Sequence, residues 1–138
     1  MPDEAALARA VSTAYFALFH ALARTAADSL VGPEGTERST PAWRQTYRAL
    51  DHGAAKTACS RARSLDFPAD IVACAEIFVK LQQSRHAADY DPAFTPTRAE
   101  AIAAIADAEA EAAIDKLIRA TPKDRTAFAI LLLLRRRS

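Results

Sequence analysis

Arg85, Asp89 and Tyr90 bring a cation, a carboxylate and a phenol within six residues, in the stretch Leu81 to Pro92 (LQQSRHAADYDP), with the imidazole of His86 beside them. Ile71, Cys74, Phe78 and Leu81 recur at steps of three and four, the spacing of a core-facing helical stripe, and Arg85 is its next position. A guanidinium on an apolar seam needs a carboxylate, an anionic ligand or a water-filled gap beside it. Asp89 follows one turn later on the same face, whereas His86 points about 100° round the helix from Arg85. Asp91-Pro92 then ends the helix, because the residue before a proline is pushed out of helical geometry. The chemistry such a group offers is charge stabilisation by Arg85 with proton transfer from a neighbour; the plainer alternative is an intrahelical Arg85–Asp89 pair worth a few tenths of a kcal/mol.

Two further sets of residues could take part. His20 lies in the middle of a first helix that is apolar almost all the way round, where a buried, hydrogen-bonded imidazole is the expectation and a place in a site the alternative. A second helix, expected from Pro41 to Arg63, carries Arg44, Arg48, Lys56, Arg61 and Arg63 against the single acid Asp51, with His52 one turn after Arg48. That one-sided charge suits contact with phosphates, through Arg44, Arg48, His52 and Lys56, or else a solvated face balanced by acids elsewhere.

Five helices would position these residues. The first runs from Asp3 or Glu4 to Leu30, with Leu7, Val11, Ala14, Leu18 and Leu22 on one stripe and Phe16, Phe19 and Ala23 on another. Val31 to Pro41 is the glycine- and proline-bearing loop, after which Ser39 or Thr40 caps the second helix with proline at its first position. Trp43, Tyr47, Leu50 and Ala54 form that helix's narrow inner stripe. Pro68 opens the third helix and Thr95-Pro96 the fourth, which reaches Ala120 with Ile102, Ile105, Ala112 and Leu117 inward. Its acids at 107, 109 and 111 do not share one face, so they make no paired-carboxylate site. Thr121-Pro122 starts a last helix, Lys123 to Arg137, whose run of large apolar residues caps the bundle or meets a second subunit.

The 138 residues make one domain, long enough to bury roughly two thirds of its surface without staples. The hydrophobic share is 51%, much of it alanine, and three glycines and little alternation point to an all-α chain. Net charge is +1, so any contact with nucleic acid has to come from a local patch. Cys59 and Cys74 have no CxxC pairing or zinc spacing, and they fit a reducing compartment. No glycine-rich phosphate loop, nucleophile elbow, RNP-type strand or internal repeat occurs. Neither a metal nor an organic cofactor is expected. The longest strongly apolar run, Ala127 to Leu134, is far shorter than the ~20 residues of a membrane helix, so no membrane contact is expected and the chain is taken as soluble and cytoplasmic.

Two blocks resemble a known family. Ala14-Tyr15-Phe16-Ala17-Leu18-Phe19-His20-Ala21 resembles the AYYAxFHA helix of small bacterial HEPN-domain proteins, and Arg85-His86-Ala87-Ala88-Asp89-Tyr90-Asp91 resembles the R…ADYD end of their third helix. The resemblance implies an antiparallel four-helix up-and-down bundle with an additional C-terminal helix, paired as a homodimer. It implies an association with RNA or nucleotides in a toxin–antitoxin or defence setting, often beside a nucleotidyltransferase or antitoxin partner. Many such proteins are metal-independent ribonucleases; others are non-catalytic interaction modules binding a partner protein or nucleotide. In the ribonucleases an Arg is followed after four to six residues by a His. Here the corresponding places after Arg85 hold Tyr90, Asp91 and Pro92, and only Arg85, Asp89 and Tyr90 map onto the functional segment. The candidate catalytic residues are therefore Arg85, Asp89 and Tyr90, with His86 or His20 to move protons.

Overall fold

The computed structural model describes residues 4–90 and 96–134. Among the described residues six helices and no strand form an all-α bundle: α1 (Glu4–Leu30), α2 (Thr40–Ala49), α3 (His52–Arg61), α4 (Ala69–Tyr90), α5 (Pro96–Arg119) and α6 (Pro122–Leu133). The central element is α1, which packs on α2, α4, α5 and α6, while α4 also meets α3 and α5. Both stripes expected of α1 turn inward: Leu7, Val11, Ala14, Leu18 and Leu22 are buried, as are Phe19 and Ala23, with Phe16 half-buried. On α4 the stripe Ile71, Cys74, Phe78 and Leu81 is buried too. By length and composition α1 is long and apolar enough to cross a membrane, although Arg9, His20 and Arg24 interrupt its apolar run.

Three helix starts are fixed by side-chain caps. Ser39 Oγ accepts from the Ala42 amide at 3.2 Å, Asp51 Oδ1 from Ala54 at 2.7 Å and Thr121 Oγ1 from Asp124 at 3.2 Å. Each satisfies an amide that the first helical turn leaves without a partner. At the α5–α6 corner Arg125 donates to the carbonyls of Ile118, at 2.8 Å, and Ala120, the complementary service at a helix end.

Two expectations are corrected. The single helix over 41–63 is two helices, because Leu50 and Asp51 are extended (ψ 123° and 156°) and Asp51 caps a new start. A buried Leu50 at the break lets α3 turn its Ala55, Ala58 and Cys59 onto α4 and α6. The basic residues expected on one helix are therefore divided, Arg44 and Arg48 on α2 and Lys56 and Arg61 on α3. On α5 the buried stripe is Ala106, Ala110, Ala113 and Leu117; Ile105 and Ala112 are exposed and Ile102 only half-buried. Small alanines let α5 lie close to its neighbours, which outweighs burial of the larger isoleucines.

Candidate functional site

Tyr15 is the pivot. It is fully buried (0% exposed) between α1, α3 and α4, with Phe78 at 5.3 Å ring to ring, and its hydroxyl is met from two helices. His52 Nδ1 lies 2.5 Å from Tyr15 Oη, and Gln82 Nε2 reaches the same oxygen at 3.3 Å and the His52 carbonyl at 3.3 Å. The protons follow from this inventory. The His52 carbonyl can only accept, so the Gln82 nitrogen is the group facing it, and that nitrogen also donates to Tyr15 Oη. The phenol's own hydrogen is then directed at His52 Nδ1, which leaves the ring proton on Nε2. His52 Nε2–H has no intramolecular acceptor among the described residues.

Electrostatics agree with a neutral imidazole. Burial pushes the Tyr15 phenol up to about 12, so it stays protonated at neutral pH. Burial, and then the Arg85 charge, hold His52 below its ordinary 6.5; Asp51 raises it and His20 lowers it further.

Arg85 stands over the rings of Phe16 and Tyr15, 4.6 and 5.3 Å from their centroids. His52 packs against the same two rings at 5.7 and 5.5 Å and lies flat on Phe19, 4.1 Å away with the planes 17° apart. The half-buried guanidinium is thus seated on aromatic faces, in addition to whatever anionic group its charge attracts.

A second pair of rings adjoins the first. His20, expected inside the core, is exposed, and its Nδ1 lies 2.7 Å from Tyr47 Oη. Phe16 and Phe19 separate it from His52, at 6.4 and 5.7 Å from the His20 ring. Tyr47 in turn stacks on Trp43 at 5.3 Å. The indole is tied down by its Nε1–H to Asp28 Oδ1 at 2.9 Å and covered by Arg38, 4.7 Å above it, which pairs with the same carboxylate at 3.3 Å.

Of the residues singled out in the sequence, Arg85, His20 and His52 meet here. The side chains of Asp89 and Tyr90 lie outside those described, and so does any Arg85–Asp89 pair. His86 is exposed on α4, off the Arg85 face. The proposed phosphate-contacting quartet divides: Arg44 and Arg48 are exposed and line a surface hollow of about 540 Å³ on α2, Lys56 is exposed on α3, and His52 turns inward to Tyr15. His52 does not follow Arg48 by one helical turn, because the helix is interrupted at Leu50 and Asp51. Tyr15, Gln82 and Tyr47 were missed as site residues. A tyrosine in the middle of an apolar helix was the available signal, since a buried phenol needs a polar partner.

No group of three His, Cys, Asp or Glu residues that could hold a metal occurs among the described residues. Cys59 and Cys74 are free, and burial pushes both thiols up, Cys74 to about 12, so they are unreactive core groups. A roomier apolar groove of about 710 Å³ runs between α3 and α6, but among the described residues Thr57 and Arg61 are the only polar side chains that line it.

The comparisons with known proteins add nothing to this geometry: no family model, no curated protein and no solved structure matches the chain.

Proposed function

We propose that this is a HEPN-like, RNA- or nucleotide-associated protein of a toxin–antitoxin or defence system, working in the cytoplasm as a homodimer, and that Arg85 and His52 hold the phosphate of its ligand. One observation carries the reading: a guanidinium from α4 and an imidazole from α3 pack against the same pair of aromatic rings. Neither needs a metal to attract an anionic oxygen. The two blocks that carry the family resemblance are far apart in sequence, yet they meet at this point, since Tyr15, Phe16, Phe19 and His20 belong to one and Arg85 to the other. The imidazole that the spacing after Arg85 withholds arrives from α3 instead.

Strand scission is the activity this arrangement supports best. His20 Nε2 takes the 2′-hydroxyl proton, with Nδ1–H donating to Tyr47 Oη. The 2′-oxygen attacks the adjacent phosphorus, and Arg85 and His52 Nε2–H stabilise the added charge. The bond from phosphorus to the 5′-oxygen breaks, and that oxygen takes a proton from water, leaving a 2′,3′-cyclic phosphate and a 5′-hydroxyl.

A non-catalytic nucleotide- or partner-binding module is the second reading, and the Tyr15–His52 hydrogen bond favours it. It holds His52 as a donor and so leaves a single imidazole for proton transfer. Incubating cellular RNA with the protein in EDTA separates the two. Cyclic-phosphate ends made by wild type and lost with His20→Ala support the nuclease; retention of RNA without cleavage supports the binding module.

A further inference from the structure

We propose that His20 and Tyr47, backed by Trp43, form a stacking platform for an unpaired nucleobase next to the phosphate-holding pair, so that the ligand is single-stranded RNA. This rests on the reading of Arg85 and His52 as a phosphate site.

The His20 and Tyr47 rings are inclined by only 10°, with centroids 6.0 Å apart, while Nδ1 and Oη are 2.7 Å apart. A phenol oxygen and an imidazole nitrogen both bond in the planes of their rings. Nearly parallel rings joined that way lie edge to edge, so together they present one flat surface, wider than either ring. Both belong to rigid helices, α1 and α2, and His20 is exposed.

The tile is held from both ends. Trp43 stacks against Tyr47 at 21° and is locked by Asp28 and Arg38, so Tyr47 cannot swing away. At the other end Phe16 adjoins His20 and carries Arg85 at 4.6 Å. The platform therefore adjoins, through the tilted Phe16 ring, the guanidinium that Phe16 carries. Every base has a π-face, whereas bases inside a duplex have theirs covered, so such a surface selects unpaired nucleotides and tolerates their sequence. A core-packing role alone would not put a hydrogen-bonded imidazole on the exposed side of α1.

Trp43 is the only tryptophan, so its fluorescence reports on this platform without a label. The full chain is titrated with a 2′-O-methyl oligoadenylate, which cannot be cleaved, and with an abasic oligomer of the same length and phosphate count. The expected result is quenching of Trp43 by the oligoadenylate and binding about tenfold tighter than the abasic strand. Tyr47→Leu should bring the oligoadenylate down to the affinity of the abasic oligomer, and His20→Ala, at an exposed position, should do the same if Tyr47→Leu fails to fold. Equal binding of both oligomers with no quenching overturns the platform while leaving the phosphate site standing. Binding of neither overturns both, and tighter binding of polyglutamate than of oligoadenylate shows that the face takes an acidic peptide instead.

Discussion

Tyr15→Phe removes one oxygen from the centre of the site and leaves the ring that fills the core. The phenol joins α1 to α3 through His52 Nδ1 at 2.5 Å and to α4 through Gln82 Nε2 at 3.3 Å. Gln82 keeps its second bond, to the His52 carbonyl, but His52 Nδ1 loses its donor in a half-buried setting. Leaving a buried or half-buried partner without its hydrogen bond costs about 1–3 kcal/mol, so the change should destabilise the fold by that amount. Urea unfolding should show a lower midpoint with an unchanged slope, since no surface is newly exposed. A second readout follows from the proton assignment: in long-range ¹H–¹⁵N spectra wild-type His52 should carry its proton on Nε2, and Tyr15→Phe should admit the Nδ1–H tautomer. Wild-type His52 protonated at Nδ1, or a variant as stable as wild type, would refute the network as derived.

Three other outcomes are expected. His52 titrates below its ordinary 6.5 in the folded state, so above 6.5 its contribution to stability is complete, and it is lost as pH falls from 6.5 towards the folded value; His52→Gln should flatten that part of the stability–pH curve. Arg85→Ala should raise the His52 pKa in an NMR titration, because the Arg85 charge lowers it, whereas Asp51→Asn should lower the pKa further while keeping the cap of α3. Leu22→Ala, at a fully buried position on α1, should cost about 2–5 kcal/mol in denaturant unfolding.

The long helices were legible because their apolar residues are large and periodic: the stripes of α1 and α4 are buried as the spacing requires. Where alanine carries the stripe, as at Ala106, Ala110 and Ala113, hydropathy is too flat to fix the register, and the bulkier Ile105 drew the expected face about 100° round. The break at Leu50–Asp51 was hidden in a similar way. Leu50 suits a helical stripe, and Asp51 suits both the one acid on a basic face and a helix cap, the role it has here. That break decides the site, since it turns His52 towards Tyr15. Arg85 and His20 were visible as a polar residue on an apolar seam and an imidazole within an apolar helix. Their company was not visible, because Tyr15, Tyr47 and Gln82 come together only through contacts 27 to 67 residues apart in sequence.

The measurement closest to the central claim is binding and cleavage of a short single-stranded RNA in EDTA by wild type, Arg85→Ala and His52→Ala, each shown to be folded. If the two residues hold one phosphate, each variant should lose most of the affinity and any cleavage, and the double variant should lose little more than either alone. Undiminished binding by both single variants, or losses that simply add, would contradict a shared Arg85–His52 site.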